Sequence, residues 1–133
     1  MFDTRLVVGS KGEDMDLNTL KQCLLARPGA TEGAAFGPEH LTYKVMGKLF
    51  AVVSWDENPM RISLKCDPAE VEALRKVFPA VRPAPYFNKR HWNVVILDGT
   101  VPEPEFLAMI DESYRLVVKG LTRKQREGLE ALA

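Results

Sequence analysis

The chain has 133 residues, 46% of them hydrophobic and 27% charged, with Lys+Arg and Asp+Glu equal at 18 each. That balance excludes a disordered tail and fits one globular domain with a radius of gyration of about 14 Å. No apolar run approaches the roughly 20 residues of a membrane-spanning helix and the N-terminus lacks signal-peptide organisation, so the expected setting is the cytoplasm; a neutral chain exerts no global pull on nucleic acid.

Residues 1–14 show no sustained period and read as an N-terminal extension, with Met15 a second candidate start; residues 15–133 read as a single domain. From Asp16, a plausible N-cap, Leu17, Leu20, Leu24 and Leu25 repeat at the spacing of an amphipathic helix that Pro28 and Gly29 end. The Gly- and Ala-rich stretch 29–40 reads as a long loop or irregular edge. LTYKVM and LFAVVS read as two strands joined by a tight turn in which Gly47 supplies the positive φ. In MRISLKC, Ile62, Leu64 and Cys66 alternate with Arg61, Ser63 and Lys65, so one face is core and one is wet.

Asp67, Pro68 and Glu70 combine an N-cap carboxylate, a proline at the first helical position and a glutamate three residues after the cap, and Val71, Leu74 and Phe78 continue as one helical stripe. PAVRPAPY cannot continue that helix and reads as extended chain; with WNVVIL it makes two strands or one long bent one. Beyond Pro102 and Pro104, a long helix from Phe106 to Val118 stops near Gly120, and Thr122 caps a short basic helical tail with Leu129 and Leu132 as its apolar contacts. Helices interrupting a mostly antiparallel sheet make a two-layer α+β sandwich, with the helices on one face and the other face open.

Neutrality hides a pattern. Residues 41–95 carry nine basic and five acidic side chains, 96–114 carry five acidic and no basic ones, and 115–126 carry five basic and no acidic ones. A basic surface on a neutral protein follows. Cys23 and Cys66 sit far apart where small buried residues fit, which argues against a disulfide framework or zinc knuckle. His40 and His91 are the only histidines and lack metal-ligand spacing, no Ser-His-Asp spacing or glycine-rich phosphate loop appears, and neither an enzyme nor a cofactor is expected.

Four stretches taken together, KVMGKLFAVV, ISLKCDP, NKRHWNVVILDG and IDESYRLVVKGL, resemble the MmcQ/YjbR family of small bacterial proteins often labelled DNA-binding, over roughly Leu17 to Arg126. The resemblance implies an α-β(3)-α-β(2)-α fold like that of type III secretion chaperones. Met46 stands where family members often carry a second small residue before the turn glycine.

Three groups of residues are candidates for contact. Lys89, Arg90, His91 and Trp92 form the sharpest cluster: either the cations hold phosphates while Trp92 or Tyr86 stacks on a base, or Trp92 anchors the core, Asn88 organises the turn and His91 bonds backbone at the strand start. Lys44, Arg61 and Lys65 fall on the face without helices, flanking an anion or forming an ordinary solvated face. Arg115, Lys119, Arg123, Lys124 and Arg126 either complement a helix C-terminus or form a phosphate-contacting arm. The expected function is weak DNA binding without sequence preference; the alternative is a protein-interaction or chaperone-like module using the open sheet face. The expected state is a monomer or weak homodimer away from membranes.

Overall fold

The structure is a computed structural model that describes residues 15–132, so the expectations for residues 1–14 lie outside the described residues. The Asp16 carboxylate accepts the Thr19 N–H at 2.8 Å and starts α1 (Leu17–Leu25), whose Leu20 and Leu24 are fully buried. That bond holds the Asp16 carboxyl below the usual aspartate range. Four strands follow, β1 (Ala30–Gly33), β2 (His40–Val45), β3 (Lys48–Ser54) and β4 (Arg61–Lys65), then α2 (Val71–Val77), β5 (Val81–Pro83), β6 (Trp92–Ile96), α3 (Glu103–Lys119) and α4 (Arg123–Leu132). The six strands form one sheet in the order β1-β2-β3-β4-β6-β5, antiparallel throughout. Pro83, which has no N–H to give a ladder, falls on an edge strand. No described helix is long and apolar enough to cross a membrane.

The register sorts the side chains. Tyr43, Ala51, Leu64 and Asn93 lie in one row across the sheet, and Leu41, Val53, Ile62, Val95 and Val81 in the next. These rows carry the core with Leu20, Leu24, Phe106, Ile110, Val117 and Leu129 from the helices, so the helices share one face. Burying each large apolar side chain contributes about 1.5–3 kcal/mol.

At one end the ladder is irregular. Tyr43 pairs with Ala51 but Lys44 pairs with Leu49, leaving Phe50 as the extra residue of a bulge. Phe50 turns into the core and meets Tyr114 edge-to-face at 5.4 Å. The next rung between β3 and β4 is replaced by a hydroxyl: Ser113, fully buried on α3, accepts the Lys65 N–H at 2.8 Å and donates to the Phe50 carbonyl at 2.6 Å. One side chain thus satisfies two backbone groups that the bulge separates.

The element order of the sequence reading holds, with two additions and one shift. The stretch 29–40 contributes an edge strand, β1, held by Tyr43, whose hydroxyl donates to Glu32 Oε2 at 2.6 Å. The basic tail is a full helix, and Thr122 caps it as expected: its hydroxyl accepts the Gln125 N–H at 3.1 Å while the Gln125 side chain accepts the Thr122 N–H at 2.9 Å. The second helix begins later than expected. Asp67 caps only a turn, with its carboxylate on the Ala69 N–H at 2.9 Å, and regular helix starts at Val71. Met46 and Gly47 both have positive φ, 50° and 81°, the pair of values that a two-residue hairpin turn needs.

Candidate nucleic-acid interface

The opposite sheet face carries His40, Thr42, Lys44, Val52, Ser54, Arg61, Ser63, Lys65, Trp92, Val94 and Ile96 by register. It is not bare. Thr42, Val52 and Val94 of its central row are buried, and Ser63 between them is half-buried, although no described helix lies over them. Loops from opposite edges cover them. Phe36, between β1 and β2, meets Phe87, between β5 and β6, at 6.5 Å edge-to-face, and Phe87 stacks on Trp92 at 4.6 Å. Trp55 braces the first loop by donating its indole N–H to the Pro38 carbonyl at 2.9 Å. This corrects the expectation of an open face: the apolar Val52 and Val94 need cover, and three aromatics supply it.

Trp92 therefore lies on the non-helical side, half-buried against Phe87 rather than enclosed in the main core. The segment before it is held from the other side by a residue the sequence reading passed over. Arg75 of α2 donates through Nη2 to the Lys89 carbonyl at 2.5 Å and through Nε to Asn93 Oδ1 at 2.7 Å. Asn93 is buried and donates its Nδ2 to the Val71 carbonyl at 3.3 Å, so helix, loop and strand are tied together. Asn88 organises the turn as expected, its side chain accepting the Arg90 N–H at 2.9 Å and its carbonyl the His91 N–H at 3.0 Å. The His91 carbonyl accepts the Cys66 N–H at 2.7 Å. With the backbone so fixed, Lys89 and Arg90 are exposed.

Tyr86 stands out. It is 99% exposed and has φ of 70°, a left-handed conformation that costs a side-chain-bearing residue roughly 1–2 kcal/mol.

Lys44, Arg61 and Lys65 all lie on this face, half-buried, and none pairs with a carboxylate among the described residues. Lys65 sits directly across the ladder from Trp92; Arg61 is at the far end, opposite Ser54 and Ile96. The two histidines do not converge. His40 bonds Ser54 at 3.0 Å at the Arg61 end, whereas His91 precedes Trp92 at the Lys65 end.

The C-terminal cations divide. Arg115 holds Glu112 with two bonds, of 3.2 and 2.8 Å, Arg123 reaches Glu127 at 3.2 Å, and Arg126 donates to the Leu121 carbonyl at 3.0 Å. The run without acidic residues is thus partly neutralised by carboxylates just outside it, because helical neighbours lie three and four residues away. Lys124 remains exposed. A Gln125 side-chain bond to the Met46 carbonyl at 3.5 Å places the start of α4 at the β2–β3 turn, on the same end of the sheet as Lys65 and Trp92. At about 4.8 Å per strand, that turn lies roughly 10–14 Å from β6. The two basic groups share an end of the sheet but reach it from different elements.

An antiparallel six-stranded sheet with helices on one face and a loop-borne aromatic and basic surface on the other defines the class. The YjbR family model matches residues 25–116. YjbR of Escherichia coli K12 is 36% identical over 118 residues, 89% of this chain and 100% of that one. YbdF of Escherichia coli O157:H7 is 30% identical over 109 residues, 82% of this chain and 89% of that one. The crystal structure of Deinococcus radiodurans protein DR2400, a DUF419 domain, superimposes with a TM-score of 0.82 at 32% identity, covering 90% of this chain and 91% of that one. A Pseudomonas syringae protein shares the fold with a TM-score of 0.67 at 22% identity, over 77% of this chain and 98% of that one. The chain belongs to the YjbR family.

Proposed function

We propose that the chain is a cytoplasmic, non-enzymatic binding protein that takes DNA weakly and without sequence preference on its non-helical face, with single strands preferred over duplex. Tyr86 carries the reading. A fully exposed aromatic ring adds nothing to the monomer's core, and its backbone conformation works against stability, so its use lies in contact with something outside the chain. Bases offer it a stacking partner, and the exposed Lys89 and Arg90 stand three and four residues on, as phosphate contacts for the same strand. The neutral net charge and the lack, among the described residues, of a major-groove recognition helix of known type favour weak, sequence-independent binding.

A fluorescence titration with oligothymidylate and with a random duplex at two salt concentrations tests this. Single strands should bind more tightly, affinity should fall steeply with salt, and Tyr86→Ala should cost about 1–3 kcal/mol of single-strand binding. Affinity that ignores both salt and Tyr86 would contradict it. That result would favour the second reading, a protein-interaction module, monomeric or weakly dimeric by itself, for which Phe36, 54% exposed at the edge of the aromatic cover, offers an apolar handle.

A further inference from the structure

The helical side contains a gap with its own chemistry. α2 packs on β5 and bonds Asn93 of β6, while α3 packs on β2, β3 and β4, and a gap opens over the sheet between the two helices. A cavity of about 260 Å³ results, with Leu64, Val81 and Val95 as its floor and Leu74, Phe78 and Met109 in its walls. This is close to the lower end of small-molecule pockets, which run about 300–1,000 Å³.

Its rim is acidic. Along α3 the lining residues Glu105, Ala108, Met109 and Glu112 recur at the spacing of a single helical stripe, which brackets an apolar centre with a carboxylate at each end. Glu70, just before α2, adds a third carboxylate from the opposite wall. Glu112 is engaged by Arg115 at 2.8 Å, while Glu70 and Glu105 pair with no cation among the described residues. Lys65, whose side chain lies on the other sheet face by register, reaches the lining from the end of its strand. The Cys66 thiol reports the same field: burial first, then the charges of Glu70, Glu112 and Asp67, push it up to about 11.

We propose that this cavity binds a small organic cation, a primary amine carried on an apolar chain or single ring. The apolar body removes the half-buried Leu74, Phe78 and Met109 from water, and the ammonium lies at the carboxylate-lined mouth, where it replaces part of its hydration with charge-assisted hydrogen bonds. A carboxylate on the same body meets like charge and is rejected. This site lies on the other side of the sheet from Trp92 and does not depend on DNA binding.

The probes are phenylbutylamine and phenylbutyrate, equal in body and opposite in charge, titrated into the full chain and followed residue by residue by NMR. The amine should give saturable shifts at Leu74, Val95 and Met109 with a dissociation constant in the millimolar range or below, and phenylbutyrate should bind at least about tenfold more weakly. Glu70→Gln with Glu105→Gln, both at exposed positions, should bring the two probes to within about twofold of each other. Ala108→Phe should block the amine while spectra of β1 and β2 stay unchanged, which separates occlusion from unfolding. Equal affinity of the two probes, shifts centred elsewhere, or no saturation by the amine in the millimolar range would overturn the proposal.

Discussion

The two sides of the sheet are finished by different means. On one, helices bury a continuous apolar layer and leave an acid-rimmed gap between α2 and α3. On the other, no described helix is present, yet Thr42, Val52 and Val94 are buried as Phe36, Phe87 and Trp92 close over the face from opposite edges of the sheet. Helical cover is set by periodic apolar stripes within one segment. Loop cover needs residues far apart in sequence to meet, and it leaves its own edge aromatics and cations facing water.

The largest effect expected from disturbing this division is at Asn93, the buried side chain that fixes Arg75 of α2, which in turn holds the loop carrying Lys89 and Arg90. Asn93→Ala leaves Arg75 Nε and the Val71 carbonyl without their partner and should cost about 3 kcal/mol in denaturant unfolding, with faster amide exchange at residues 88–92. Exchange confined to the helical side would break the link drawn between the two sides. Ser113→Ala should cost about 2 kcal/mol, because the Lys65 N–H and the Phe50 carbonyl lose the hydroxyl that bridges them. An unchanged thermal midpoint would mean that β3 and β4 close directly once the hydroxyl is gone.

Much of this framework was legible in the sequence. The stripes of α1 and α3, the alternation of β4 and the Thr122–Gln125 cap are local patterns, and the sequence states them directly. Asn93 and Arg75 were not legible, since a polar residue inside an apolar strand gives no sign of which helix will meet it. The alternation of WNVVIL puts Trp92 on the same side as Val94 and Ile96, but alternation alone does not say which side the helices will cover. The aromatic cover was invisible for the same reason: Phe36 and Phe87 lie in stretches without period, and only the sheet order brings their loops together. Lys89 and Arg90 were readable as exposed because Asn88 marks a turn; that Tyr86 carries a left-handed backbone was not.

Smaller effects sharpen the picture. Gly47 has φ of 81° with open space around its missing side chain, so Gly47→Ala should cost only the backbone strain of about 1–2 kcal/mol, visible as a lowered thermal midpoint. Cys66, buried on the acidic side, should give alkaline sensitivity of a defined sign. Its thiol is neutral in both states below its ordinary value of 9.0 and, above it, ionises first in the unfolded chain, so the stability it contributes is present below pH 9.0 and is lost as pH rises towards about 11. Comparing wild type with Cys66→Ala across that range isolates the effect; parallel pH curves would contradict it. Least of all should stability change in Lys89→Ala with Arg90→Ala, by less than about 0.5 kcal/mol, while the logarithmic salt dependence of DNA binding falls by up to about two units.

The division between a nucleic-acid side and an organic-cation side is tested most directly by NMR mapping of oligothymidylate on the full chain at low salt. Saturable shifts should centre on Tyr86, Phe87, Lys89, Arg90, Trp92 and Lys65, fade as salt is raised, and leave Ala108 and Met109 of the acidic cavity unmoved. Shifts centred on the cavity, or none at all with the oligonucleotide in excess, would contradict the account.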